Sequence, residues 1–119
     1  KEYYTVLRLA EQYLIRAEAR ANQNKLGKAI EDIDSIRLRA GLDGTTAATK
    51  EEILSAIEQE RKIELFAEWG HRWFDLKRTG RVTTVMSAIK PNWQTTDSLW
   101  PIPSEQIRMN GALTQNPGY

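Results

Sequence analysis

Two carboxylates one helical turn apart, a lone histidine three residues beyond the second, and a tryptophan pair set among loops are the side chains of this 119-residue sequence with a spacing that could do chemistry. Glu64 and Glu68 have the i,i+4 separation that places two carboxyl groups within the roughly 5 to 9 Å used by glycosidases. Any helical pair at that step meets the same condition, so a small carboxylate-dependent hydrolase is a reading with little to support it. Glu68-Trp69-Gly70-His71 has the Glu-x-x-His spacing of a di-iron bundle, which requires a second such motif and two further carboxylates. His71 is the one histidine of the chain, so the chain cannot complete that site by itself. Trp93 and Trp100 could stack their indole faces on sugar rings, although anchoring in a core is the commoner duty of a tryptophan.

Composition narrows the field. The sequence has no cysteine, which removes disulfides, thiol catalysis and thiolate metal sites. Seventeen basic against sixteen acidic residues leave a formal charge of +1, unlike a protein that tracks phosphates. No cofactor and no metal is expected. With 40% hydrophobic and 28% charged residues, the chain has the profile of one globular domain. No apolar run approaches the roughly 18 residues of a membrane span, and no signal peptide is visible. The first residue is Lys1, so a processed or excised piece is expected.

Helices must carry these residues. Leu7, Ala10, Leu14, Ala17 and Ala21 recur at three- and four-residue steps and predict a helix from about Tyr4 to Asn22. Ala29, Ile33, Ile36 and Ala40 predict a second helix ending at Gly41, and the short break at Asn24–Gly27 makes the pair antiparallel. This pair, over residues 1–42, is similar to a tetratricopeptide hairpin; an ordinary helical hairpin explains the same residues. Thr49 and Glu52 form a capping box for a third helix from Lys50. The periodicity predicts that it continues to Arg78 with a kink or break at Gly70, and that Val82–Ile89 adds a short helix, so residues 49–89 are helical. Residues 90–119 read as a loop-rich, extended tail with one helical turn at Ser104–Arg108, capped by Ser104.

In a continuous helix Arg61, Glu64, Glu68, Arg72 and Asp75 share one stripe flanked by apolar residues, and the two arginines would neutralise Glu64 and Glu68. Here the sequence stops being generic. Glu60-Arg61, Glu64, Glu68, Gly70, Arg72-Trp73 and Asp75-Leu76 with Arg78 resemble the ER…E…EG.RW.DL.R signature of the SusD/RagB family. Pro101-Ile102-Pro103 before Glu105-Gln106-Ile107 resembles its late PIP..EI segment, and Asn110, Leu113 and Gln115–Tyr119 resemble its closing N..L.QNPGY. Tyr13–Ala19 and Ile36–Leu42 resemble the helices that precede the signature. Trp69 departs from the pattern by separating Glu68 from the glycine.

The resemblance covers the whole chain and only the C-terminal portion of the much longer family members. It implies an all-α fold with tetratricopeptide-like helices, and a non-catalytic nutrient- and carbohydrate-binding lipoprotein on the outer face of a Bacteroidota outer membrane. Such a protein would serve polysaccharide utilisation by handing oligosaccharides to a SusC-like TonB-dependent transporter, anchored by a lipidated N-terminus outside this chain. It also implies that Glu60, Arg61, Glu64, Glu68, Gly70, Arg72, Asp75 and Arg78 brace the helices, with Trp73 a core anchor. The sugar contacts would lie mostly upstream, leaving Trp93 and Trp100 as weak local candidates. The alternative is a tetratricopeptide-like module that docks a protein and no sugar.

Overall fold

The structure is a computed structural model that describes residue 3 and residues 6–119. The described residues are all-helical apart from loops, and they fall into two compact units, Lys1–Arg72 and Trp73–Tyr119.

In the first unit, α1 (Leu9–Asn22) and α2 (Leu26–Arg39) form a hairpin against which α3 (Lys50–Glu64) packs. The helix start expected at Tyr4 lies outside the described residues, and Val6 to Arg8 are not helical. Arg8 is extended, at φ −120° and ψ 138°, and marks the N-terminal boundary of α1. The hairpin turn is closed by Asn24 in the left-handed conformation, with Lys25 N–H donating to Arg20 O at 2.8 Å. Gly41 closes α2 in the same way, at φ +76°, with Leu42 N–H donating to Arg37 O at 2.9 Å. Both are the six-to-one bond of a helix terminator that favours glycine or asparagine.

Alanines make the hairpin tight. Ala17, Ala21 and Ala29 are fully buried with Ile33, Ile53 and Ile57, so all three helices share one cluster, and Ala10, Leu14 and Ile36 form a second. The loop between α2 and α3 is fastened to the hairpin by polar bonds: Thr45 N–H donates to Asp34 Oδ1 and Arg37 Nε to Asp43 O. The capping box forms as the sequence predicts, with Thr49 Oγ1 accepting from Glu52 N–H and Glu52 Oε2 accepting from the amides of Thr49 and Ala48.

The long third helix is shorter than its periodicity predicts. It ends at Glu64, six residues before the expected break, and residues 65–70 form a turn. Ala67 at φ +58°, Trp69 at +44° and Gly70 at +73° all occupy the left-handed region, which no continuous helix admits. Helix α4 (His71–Arg78) follows, straddling the boundary between the units.

In the second unit, α4 ends at Gly80 with another left-handed terminator, Arg81 N–H donating to Leu76 O at 2.8 Å. Helix α5 (Val82–Ile89) has the predicted bounds; a 3₁₀ turn at Thr95–Ser98 and α6 (Ser104–Met109) follow. The residue capping α6 is Pro103, and Ser104 is the first helical residue with no side-chain cap, so the expected capping role of Ser104 is not found. The closing residues clamp the segment from Leu99 to Ile102. Gln115 binds both main-chain groups of Ile102, accepting from its N–H at 2.8 Å and donating to its carbonyl at 2.9 Å. Asn116 Nδ2 donates to Trp100 O at 2.6 Å, and the Tyr119 hydroxyl donates to Leu99 O at 2.9 Å.

Candidate functional site

The charged signature residues form ion pairs, and their partners lie mainly outside the signature. Glu64 and Glu68 are neutralised chiefly by Arg8 and Arg39, not by the expected Arg61 and Arg72. Arg8 reaches Glu68 Oε1 at 2.6 Å, the Glu64 main-chain oxygen at 2.7 Å and Glu64 Oε1. Arg39 of α2 takes Glu64 Oε2 at 2.7 Å. The end of α3 and the following turn are thus tied to the segment entering α1, and an orphan carbonyl of the helix terminus gains a charged donor. The expected single stripe fails because the turn at 65–70 separates Arg61 and Glu64 from Arg72 and Asp75 along the chain.

Each remaining signature residue has a local duty. Glu60, buried in α3, pairs with Arg37 of α2. Arg61 is buried as well, its Nη2 3.8 Å from Glu11 Oε1, and His71 Nδ1 lies 3.7 Å from the same oxygen. Arg72 Nη1 donates to Glu58 Oε1 at 3.0 Å, within the first unit. Gly70 supplies one of the three left-handed positions of the turn. In the second unit, buried Asp75 accepts from Arg78 Nε at 2.9 Å. No group of three or more His, Asp or Glu side chains that could hold a metal occurs among the described residues, and the di-iron spacing of Glu68 and His71 is spent on two different partners.

Sequence reasoning missed two anchors. Arg8 precedes the first helix, where no motif marks it. Asp32 sits on the buried face of α2 and accepts from both Arg16 and Arg20 of α1. Its hydrogen bonds and charge push the Arg16 guanidinium pKa above the ordinary arginine value. An acidic residue at a periodic core position, with arginines four apart on the facing helix, is the pattern that could have exposed it.

A concave feature lies in the second unit. Trp73, Met86, Lys90, Asn92, Trp93, Asp97 and Trp100 line a cleft of about 550 Å³. Trp73 and Trp93 meet edge to face, with centroids 6.3 Å apart and planes at 77°, and Lys77 Nζ sits 5.8 Å from the Trp73 ring. Trp73 is therefore a half-buried wall of a cleft in place of the expected core anchor. Trp93 is also half-buried, and its indole N–H is sheltered from solvent without a hydrogen-bond partner among the described residues. Trp100 is 81% exposed, so core anchoring does not describe it. The two tryptophans singled out by loop position do converge on one site, and Trp73, assigned to a scaffold, joins them.

Known proteins resemble this chain in sequence and fold. The SusD family (SusD_RagB) profile matches residues 1–119. Among curated proteins, SusD-like protein P38 of Formosa agariphila is 34% identical over 96% of this chain, and Starch-binding protein SusD of Bacteroides thetaiotaomicron is 32% identical over the same share. The chain spans 24% and 21% of their lengths, about a quarter of the proteins it matches. A crystal structure of a SusD-like protein from Bacteroides fragilis aligns with 96% of this chain and 25% of its own, at 27% identity and a TM-score of 0.79. A SusD superfamily protein from Bacteroides thetaiotaomicron aligns at a TM-score of 0.75 and 28% identity, over 94% of this chain and 25% of its own. The family match runs over the full 119 residues, and the chain belongs to the SusD family.

Proposed function

We propose that this chain forms the C-terminal part of a non-catalytic glycan-binding protein of a polysaccharide utilisation system. The protein would be a surface lipoprotein of the outer membrane that passes oligosaccharides to a SusC-like TonB-dependent transporter. The reading is carried by the match along the whole chain to a family that includes a protein named for starch binding. Binding and release of a glycan needs aromatic faces and hydrogen-bonding groups without a reactive centre, and the tryptophan-lined cleft has that character. The bracing of the first unit by buried and half-buried ion pairs fits a rigid support.

The test is calorimetric titration of the intact protein with a panel of oligosaccharides, the same samples being assayed for released sugar. Saturable binding without turnover is the expected result. Sugar release would overturn the non-catalytic reading. Silence across the panel would overturn the glycan reading and leave the hairpin as a protein-docking module. Co-purification of the intact protein with its transporter tests the partnership separately.

A further inference from the structure

We propose that the cleft of the second unit is a subsite for a neutral pyranose, with Trp100 as the platform on which a sugar face stacks. The inference rests on the glycan-binding reading above and names the place and ligand class within this chain.

Trp100 combines two properties that rarely occur together. The residue is 81% exposed, and its ring engages no aromatic or cationic neighbour among the described residues. Its main chain is held on three sides: Tyr119 binds Leu99 O, Asn116 binds Trp100 O, and Gln115 binds both groups of Ile102. Gly118 closes the same clamp at φ +95°, packed so close to Thr96 that an added Cβ would lie 2.7 Å from the Thr96 Cβ. The motif that ends the chain thus fixes the backbone under a tryptophan whose faces are open. Fixing that backbone before binding lowers the ordering cost that a ligand must otherwise meet. A large rigid ring, exposed above a restrained backbone, is suited to the apolar face of a sugar ring.

The other walls have a different task. Lys77 lies against Trp73, and Trp73 and Trp93 are locked edge to face, so these two rings shape the cleft and leave stacking to Trp100. Around the aromatic faces stand one cation, one anion and one amide: Lys90, Asp97 and Asn92. Sugar hydroxyls donate and accept, so a set holding both donors and acceptors serves them. The opposed charges give no bias toward a polyanion. The volume of about 550 Å³ is in the range of small-molecule sites.

The test uses the intact protein and its Trp100→Ala variant, titrated with neutral malto-, cello-, xylo- and laminari-oligosaccharides and with acidic oligogalacturonates. In parallel, oxidation of wild-type Trp100 by N-bromosuccinimide is followed by mass spectrometry with and without each sugar, a readout independent of whether the variant folds. The expected result is that a neutral glycan binds, protects Trp100 from oxidation and loses roughly fivefold or more in affinity to the variant. A neutral glycan that binds both forms equally and leaves Trp100 oxidisable would overturn the subsite while the glycan-binding reading stands. Binding of oligogalacturonates alone would overturn the neutral class. No binding to any sugar would overturn both.

Discussion

Arg16 grips Asp32 with two bonds, Nε to Oδ2 at 3.1 Å and Nη2 to Oδ1 at 2.6 Å, and Arg20 adds a third at 2.6 Å. The Asp32 side chain is 3% exposed whereas that of Arg16 is 53% exposed, so the acid is inside and its partners reach in from the rim. Such a carboxylate is tolerable only while paired. Replacing Asp32 by Ala should cost about 1 to 3 kcal/mol, the cost of losing charge-assisted bonds, because the freed arginines can turn to water. Chemical unfolding of wild type and variant measures it.

Ala67 offers the opposite sign. It is exposed and held at φ +58°, where an L side chain costs about 1 to 2 kcal/mol and glycine pays no such cost. Ala67→Gly should therefore stabilise the protein by about 0.5 to 1 kcal/mol, after the extra unfolded-state entropy of glycine. A lower unfolding midpoint would show that the turn does not set this conformation.

The start of α3 should respond to pH. Backbone hydrogen bonds from Thr49 and Ala48 hold the Glu52 carboxyl below its usual 4.5. Its contribution is thus present above the unfolded value, about 4.5, and fades as pH falls through the lower folded value. Amide exchange at Ala48 and Thr49 should quicken below that pH in wild type, and Glu52→Gln should flatten the dependence. Thr49→Ala, which removes the other half of the box, should cost about 1 kcal/mol at neutral pH.

At Gly118 both sterics and backbone oppose a side chain. Gly118→Ala should destabilise the second unit by about 1 to 3 kcal/mol, since φ is +95° and the new Cβ would strike Thr96. Combining it with Thr96→Gly should recover only part of the loss, because the backbone strain persists. Unfolding midpoints of the three variants decide this.

Arg72 tests the scaffold assignment. It is about one-third exposed and its bond is to Glu58 at 3.0 Å, so Arg72→Leu should cost no more than about 1 kcal/mol. Glycan affinity of the intact protein should not change. Lost binding at an unchanged unfolding midpoint would place Arg72 in the binding machinery.

The helices of the hairpin were legible because Leu14, Ala17, Ala21, Ile33 and Ile36 are both periodic and buried, so spacing and core coincide. Thr49–Glu52 and Val82–Ile89 were legible for a related reason, since their signals are local. The turn at 65–70 was hidden because Phe66, Trp69 and Trp73 continue an apolar period across it, yet Phe66 and Trp69 are exposed. Amphipathic spacing cannot show that a chain leaves its helix when the following residues keep the rhythm. Ion pairing was equally opaque: Glu68 sits 60 positions from Arg8, and no local rule connects them. At the cleft, loop position identified Trp93 and Trp100 as candidates, but the convergence of Trp73 on them depends on how α4 meets the tail.

Pro101 and Pro103 leave Ile102 as the one residue of that segment with an amide hydrogen, and the Gln115 carboxamide takes both that hydrogen and the Ile102 carbonyl. A side-chain amide here stands in for the peptide group of a neighbouring strand. An extended stretch that lies in the open is thereby saturated from within its own chain. With no free N–H between the two prolines, it offers a foreign strand nothing to pair with, which protects an exposed tail against edge-to-edge aggregation.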